Sequence, residues 1–264
     1  MRSETCLKSI SFIKFALAAV LCTGGAVLAD WEVGDPALYY QTPDLAGWSV
    51  YSEWGTGTVE NEGYGAGADD WTATTTAPIT DIFFWGGWKN DVVGQTNEII
   101  VQIFSSDTSD PAFPRPDELQ WSRVINTSEY TRRLWSNSPA DNQGWYDPRY
   151  TDHWEANNHG YMYQYSIPVI ASPFVQQAGQ TYWLTISVDV DGGVWGWNSA
   201  ENISGGSAVF WDKNNPSGWT ELMAPAGYNE PRIPLDLAFV LNTPEPTTLL
   251  LLGLGAAILR KRRR

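Results

Sequence analysis

A side-chain alternation of period two limits this chain's fold more than any other feature. Across residues 181–189, Tyr182, Leu184, Ile186 and Val188 fall on one side, and Trp183, Thr185 and Ser187 on the other. Successive side chains of a strand point to opposite faces, so this run reads as a strand with one apolar face. Residues 98–104 repeat the pattern with Ile99, Val101 and Ile103, and Leu235, Leu237, Phe239 and Leu241 repeat it later. Shorter runs cover residues 79–85, 119–125, 161–167, 194–198 and 208–211. Clusters of Gly, Pro, Asn and Asp separate them, and no long helical pattern intervenes. The expectation is an all-β fold, a single β-sandwich of jelly-roll type.

Between these runs, residues 55–68 and 105–116 read as exposed loops. Residues 132–158 form a long polar stretch carrying Trp135, Trp145, Tyr146 and Trp154. Long loops with large aromatics are where a sandwich usually presents a binding surface.

Both ends of the chain differ from this body. Arg2, Lys8 and Lys14 precede an apolar run at residues 15–21, and Val27-Leu28-Ala29 supplies a cleavage site. Residues 1–29 therefore read as a signal peptide cut by signal peptidase after Ala29. Thr23-Gly24-Gly25 breaks the apolar run well short of the ~20 residues a membrane span needs. Bulky Leu21 before Cys22 argues against a lipoprotein site.

At the other end, Thr243-Pro244-Glu245-Pro246 leads into an apolar stretch at 249–259 and a basic tail, Arg260-Lys261-Arg262-Arg263-Arg264. The prolines make a stiff, extended joint. As a helix, residues 247–259 would reach roughly 20 Å, against a hydrocarbon core of ~30 Å. The basic tail stays cytoplasmic by the positive-inside rule, which leaves Pro244, Glu245 and Pro246 on the far side. Residues 243–264 resemble the PEP-CTERM sorting signal of Gram-negative bacteria in the order of motif, apolar helix and basic tail. The resemblance implies transient membrane insertion of that short helix and recognition by an exosortase in the inner membrane. That enzyme would cut near the motif and release or re-anchor the protein at the cell surface or in an exopolysaccharide matrix.

The remaining body, residues 30–242, has the length of one all-β domain. Both cysteines, Cys6 and Cys22, lie in the signal peptide, so the body has no disulfide, thiol nucleophile or cysteine metal site. It holds eight Lys and Arg against 28 Asp and Glu, a net charge of −20, compared with −14 for the whole chain. Such acidity excludes nucleic acid and anionic membrane surfaces as partners. All 15 tryptophans lie in this body, and they suit either a core or a sugar-stacking surface.

Asp69-Asp70-Trp71, Ile79-Thr80-Asp81-Ile82, Trp85-Gly86-Gly87-Trp88, Tyr182-Trp183-Leu184-Thr185-Ile186 and Trp195-Gly196-Trp197 together resemble an uncharacterised family of secreted bacterial β-sandwich domains. That resemblance implies the fold and carries no activity or site residues with it.

Three kinds of chemistry have candidate residues in this body. Asp189 and Asp191, followed by Gly192-Gly193, make an oxygen-rich turn suited to Ca²⁺, or an ordinary polar turn at a strand end. Without the full Asp-x-Asp-x-Asp-Gly pattern it is not an EF-hand. Tyr161, Tyr163 and Tyr165 share one strand face and Trp195 and Trp197 another; either set stacks sugar rings if exposed or fills the core if buried. For catalysis, His153 and His159 match neither a zinc spacing nor a triad, and there is no Gly-x-Ser-x-Gly elbow or P-loop. A glycosidase needs only two carboxylates about 5–10 Å apart, which spacing cannot test. The leading expectation is a non-enzymatic envelope or exopolysaccharide-matrix protein, structural or adhesive. The alternatives are a carbohydrate-binding module, with Ca²⁺ as its candidate cofactor, and a polysaccharide-processing enzyme.

Overall fold

Residues 181–189, the clearest alternating run, form the middle of a sheet. The computed structural model describes residues 30–54, 64–137, 142–150, 153–168, 172–202, 204–215, 218–228 and 231–243. In chain order its strands are β1 (Tyr39–Gln41), β2 (Trp48–Tyr51), β3 (Gly65–Thr72), β4 (Ala77–Ile79), β5 (Asp81–Trp88), β6 (Gln95–Asp107), β7 (Arg115–Asn126), β8 (Thr131–Ser136) and β9 (Gln143–Tyr146). There follow β10 (Trp154–His159), β11 (Met162–Ile167), β12 (Phe174–Gln176), β13 (Thr181–Asp191), β14 (Trp195–Asn198), β15 (Val209–Asp212), β16 (Trp219–Glu221) and β17 (Phe239–Asn242). The protein is all-β, with two curled sheets packed as a sandwich-like fold and a separate antiparallel pair, β4 with β12.

Six strands make one sheet in the order β16-β15-β3-β13-β6-β7, antiparallel throughout. Nine make the other. There β5 pairs along one edge with β11, which continues to β8, and along the other with β17 and β14. From β14 the sheet runs on through β2 and β9 to β10, with a parallel step between β2 and β9.

Alternation decides what meets between the sheets. Ile99, Val101 and Ile103 of β6 and Leu184, Ile186 and Val188 of β13 turn inward, against Phe84, Trp88, Trp195, Trp197 and Phe239 of the nine-stranded sheet. All eleven are fully buried. Burying a side chain of this kind contributes roughly 1.5–3 kcal/mol, so this layer is the main source of stability.

The outer faces of the two sheets are treated differently. Phe83, Trp85, Met162 and Val240 on the outer face of the nine-stranded sheet are covered by Trp31. Arg133 and Gln164 each donate to the Trp31 carbonyl, at 3.0 and 2.8 Å, and hold that segment down. On the six-stranded sheet, an outer cluster of Ala68, Trp183 and Val209 is covered by Phe104, Phe113 and Trp219. The cover stops there, and a groove opens beside it.

All three stretches read as loops are partly strand. Residues 65–68, inside the expected loop 55–68, begin β3; the expected loop 105–116 holds the end of β6 and the start of β7; and the expected loop 132–158 contains β9 and most of β8 and β10. At the C-terminal end, β17 is interior to its sheet, paired with both β5 and β1. The Thr80 N–H donates to the Asn242 carbonyl at 2.9 Å, so the folded body extends to the residue just before the expected sorting segment. Ala29, Pro244, Glu245, Pro246 and the short apolar helix expected at 247–259 lie outside the described residues. Among the described residues no helix is long and apolar enough to cross a membrane.

Candidate functional site

The groove on the six-stranded sheet follows from the sizes of its outward-facing residues. On β3 the outward residue is Ala66, on β13 Thr185 and Ser187, and on β6 Gln102; these small or neutral polar side chains form a floor. Larger rings rise around them: Trp211 and Trp219, directly opposite each other on β15 and β16, and Phe104 on β6. Trp54 and Tyr64 close the far end, stacked with ring centroids 4.5 Å apart at 28°. The enclosed volume is about 270 Å³, near the small end of ligand clefts.

Backbone pairing holds Trp54 in place. Glu53 bridges both Gly65 and Val188, and the Trp54 N–H donates to the Val188 carbonyl at 3.0 Å. Ser52 Oγ donates to the Ile186 carbonyl at 2.6 Å and accepts from the Gly67 N–H at 3.2 Å. The segment entering the groove is thus fastened to two central strands, while the Trp54 ring remains 48% exposed. Gly65 is required beneath it, because a Cβ there would come within 2.7 Å of the Phe210 ring.

Glu53 is the one carboxylic acid among the described residues lining the groove. One carboxyl oxygen accepts the Trp195 N–H, and the other is buried without a partner. Burial pushes its pKa up to about 8, opposed by the Trp195 hydrogen bond and by Arg149, and reinforced by Asp147 and Asp189. At neutral pH Glu53 therefore carries a proton and no charge. Arg149 is engaged by Asp147 through two contacts of 2.9 and 2.7 Å, and its guanidinium lies 3.7 Å from the Tyr51 ring centroid.

The family model for Domain of unknown function (DUF7901) matches residues 37–242, the whole sandwich from just before β1 to the end of β17. The chain belongs to this family. A PEP-CTERM protein-sorting motif matches residues 242–264, so the DUF7901 domain is followed at once by a signal for exosortase processing and export to the cell envelope or surface. No curated protein and no solved structure matches the chain.

Within the DUF7901 domain, the aromatic pairs singled out from strand alternation are mostly core. Trp195 and Trp197 are fully buried between the sheets, where their indole N–H groups donate to the Tyr165 hydroxyl (3.1 Å) and the Ala238 carbonyl (2.8 Å). Tyr165 is also fully buried, stacked on Phe84 at 5.0 Å and 6°. These three rings present no face to a sugar, because the inward side of a sandwich strand is what the core uses. Tyr163 packs partly against the same core, with the Arg132 guanidinium 5.0 Å from its ring centroid. Tyr161, just before β11, is exposed and is not among the groove-lining residues.

The candidate Ca²⁺ ligands lie at the end of one strand. Asp189 and Asp191 both lie on β13; Asp189 accepts from Asn97 Nδ2 at 3.2 Å, and Asp191 is solvent-exposed. Among the described residues, no group of three or more His, Cys, Asp or Glu is arranged to hold a metal ion.

Asp69 and Asp70 lie beside a third carboxyl group, Asp236. Asp69 is fully buried and accepts from Gln41 Nε2 (2.9 Å), the Leu237 N–H (2.6 Å) and the Asp70 N–H (2.8 Å). Asp70 accepts the Gly206 N–H, and Asp236 accepts those of Ser204 and Ala208. Burial raises all three carboxyl pKa values, Asp70 to about 7. The cluster ties β1, β3, the 204–208 turn and the approach to β17 together.

Ser49 and His159 form a hydrogen-bonded pair, Oγ to Nε2 at 2.8 Å, that sequence spacing does not reveal. Its geometry is that of a nucleophile and base, but its surroundings leave no room for a substrate. Both residues are buried, and a Cβ on Gly87 would meet His159 Nε2 at 2.4 Å and Ser49 Oγ at 2.5 Å. Desolvation lowers the His159 pKa to about 4. Asn198 donates to both Ser49 Oγ (3.0 Å) and Gln143 Oε1 (2.9 Å), which makes the pair part of an internal polar network.

Proposed function

We propose that this exported protein is a non-enzymatic adhesive of the envelope that holds polysaccharide in the groove of its six-stranded sheet. The observation that carries this reading is the pairing of half-buried or exposed indoles, Trp54, Trp211 and Trp219, with Gln102, Thr185 and Ser187 in one cleft. Apolar ring faces suit the C–H faces of a pyranose, and amide and hydroxyl groups beside them suit its hydroxyls. The sorting motif supports the same reading, since it delivers the groove to the compartment where exopolysaccharide is found. Glycoside hydrolysis calls for two carboxyl groups across the scissile bond. The described groove residues include one, Glu53, which supports binding without turnover.

The test is retention of the full chain in gels cast with a panel of polysaccharides. At least one glycan should retard it, and a W54A/W211A double variant should run unretarded or nearly so. Each ring removed should cost ~1 kcal/mol, about fivefold in affinity. If no glycan retards the wild type, the groove is not a carbohydrate site and a purely structural role takes its place.

A further inference from the structure

Resting on the carbohydrate reading above, we propose that the groove selects uncharged glycan chains and rejects polyuronates. A buried carboxylate needs a cationic or multiply donating partner, because removing it from water costs several kcal/mol otherwise. Proteins that take carboxylated ligands usually supply Arg for this purpose, through its paired N–H groups. Among the described residues lining this groove there is no Arg or Lys. The nearest lysine, Lys213, places its ammonium 4.7 Å from the Tyr64 ring centroid, and Tyr64 also stacks on Trp54. That ammonium lies over the Tyr64 ring, and Lys213 is not among the described residues that line the groove.

The groups that do line the floor match hydroxyls. The Gln102 amide and the Thr185 and Ser187 hydroxyls each donate and accept, as a sugar hydroxyl does. Thr185 Oγ1 reaches Gln102 Oε1 only at 3.5 Å, a contact weak enough for a ligand hydroxyl to replace. Glu53 adds no formal charge near neutrality and offers no anchor to a cationic sugar either. Around the groove, a body carrying −20 net charge repels a polyanion at long range, most strongly at low salt.

Polygalacturonate and alginate, each paired with its carboxyl-reduced form, test this by affinity electrophoresis of the full chain. Alongside them runs the neutral glycan that binds most tightly in the panel. The expected result is that each polyuronate binds at least tenfold more weakly than that neutral glycan at low and high salt. Carboxyl reduction should improve retention. A Gln102→Lys variant with an unchanged melting temperature should gain retention on the polyuronates. Equal or tighter binding of a polyuronate by the wild type overturns the selectivity and leaves carbohydrate binding standing. Absence of retention on every polymer overturns both.

Discussion

Replacing Glu53 by glutamine keeps an acceptor for the Trp195 N–H and removes a proton that the folded protein holds near neutrality. In the unfolded chain this carboxyl loses its proton around its ordinary value of 4.5, whereas in the folded protein burial delays the loss to about 8. Between those values the native state binds the extra proton, so stability is fully present below about pH 4.5 and falls as pH rises toward 8. At about 1.36 kcal/mol per pH unit, the interval amounts to at most about 5 kcal/mol. Asp70, raised from 3.8 to about 7, adds a slope of the same sign, so the wild type alone does not isolate Glu53. The difference between wild type and E53Q does. Urea unfolding at a series of pH values from 5 to 8 should show the wild type losing several kcal/mol more than E53Q across the window. Parallel curves would refute the assignment of a buried, protonated acid at this position.

Other outcomes follow from the same geometry. Asp69→Asn places an NH₂ group among three donors and leaves at least one of them unsatisfied; urea unfolding should show a loss of ~1–3 kcal/mol or more. Trp195→Ala opens a cavity between the sheets and should cost ~3–5 kcal/mol in stability while the folded fraction keeps its glycan affinity. Trp211→Ala should show the reverse, with near-normal melting and weakened retention. Substituting Pro244 and Pro246 with alanine should block C-terminal processing, read as an unprocessed band on denaturing gels.

How far the residues announced this arrangement depends on what alternation can report. Period two separates the two faces of β13 correctly: Tyr182, Leu184, Ile186 and Val188 enter the core, and Thr185 and Ser187 line the groove. It does not say which face meets water. Trp195 and Trp197 have the same spacing that an exposed platform would show, yet they are the centre of the core. The tryptophans of the groove sit elsewhere, Trp54 just before the 55–63 segment and Trp211 and Trp219 on the short strands β15 and β16.

The run Gly65-Ala66-Gly67-Ala68 has the composition of a loop but pairs as strand. Its glycines lie against large core side chains, and a Cβ on Gly67 would come within 2.6 Å of Leu237. Asp69-Asp70 likewise has the look of a surface pair. Its burial depends on donors from residues 41, 206 and 237, which no local pattern brings into view.

Fluorine NMR of the fluorotryptophan-labelled protein, with each signal assigned by single substitution, shows whether glycan contacts the groove. On addition of a bound neutral oligosaccharide, the signals of Trp54, Trp211 and Trp219 should shift together and those of Trp195 and Trp197 should not. Shifts confined to tryptophans outside the groove, or no shift with any glycan, would mean that the groove is not a carbohydrate site.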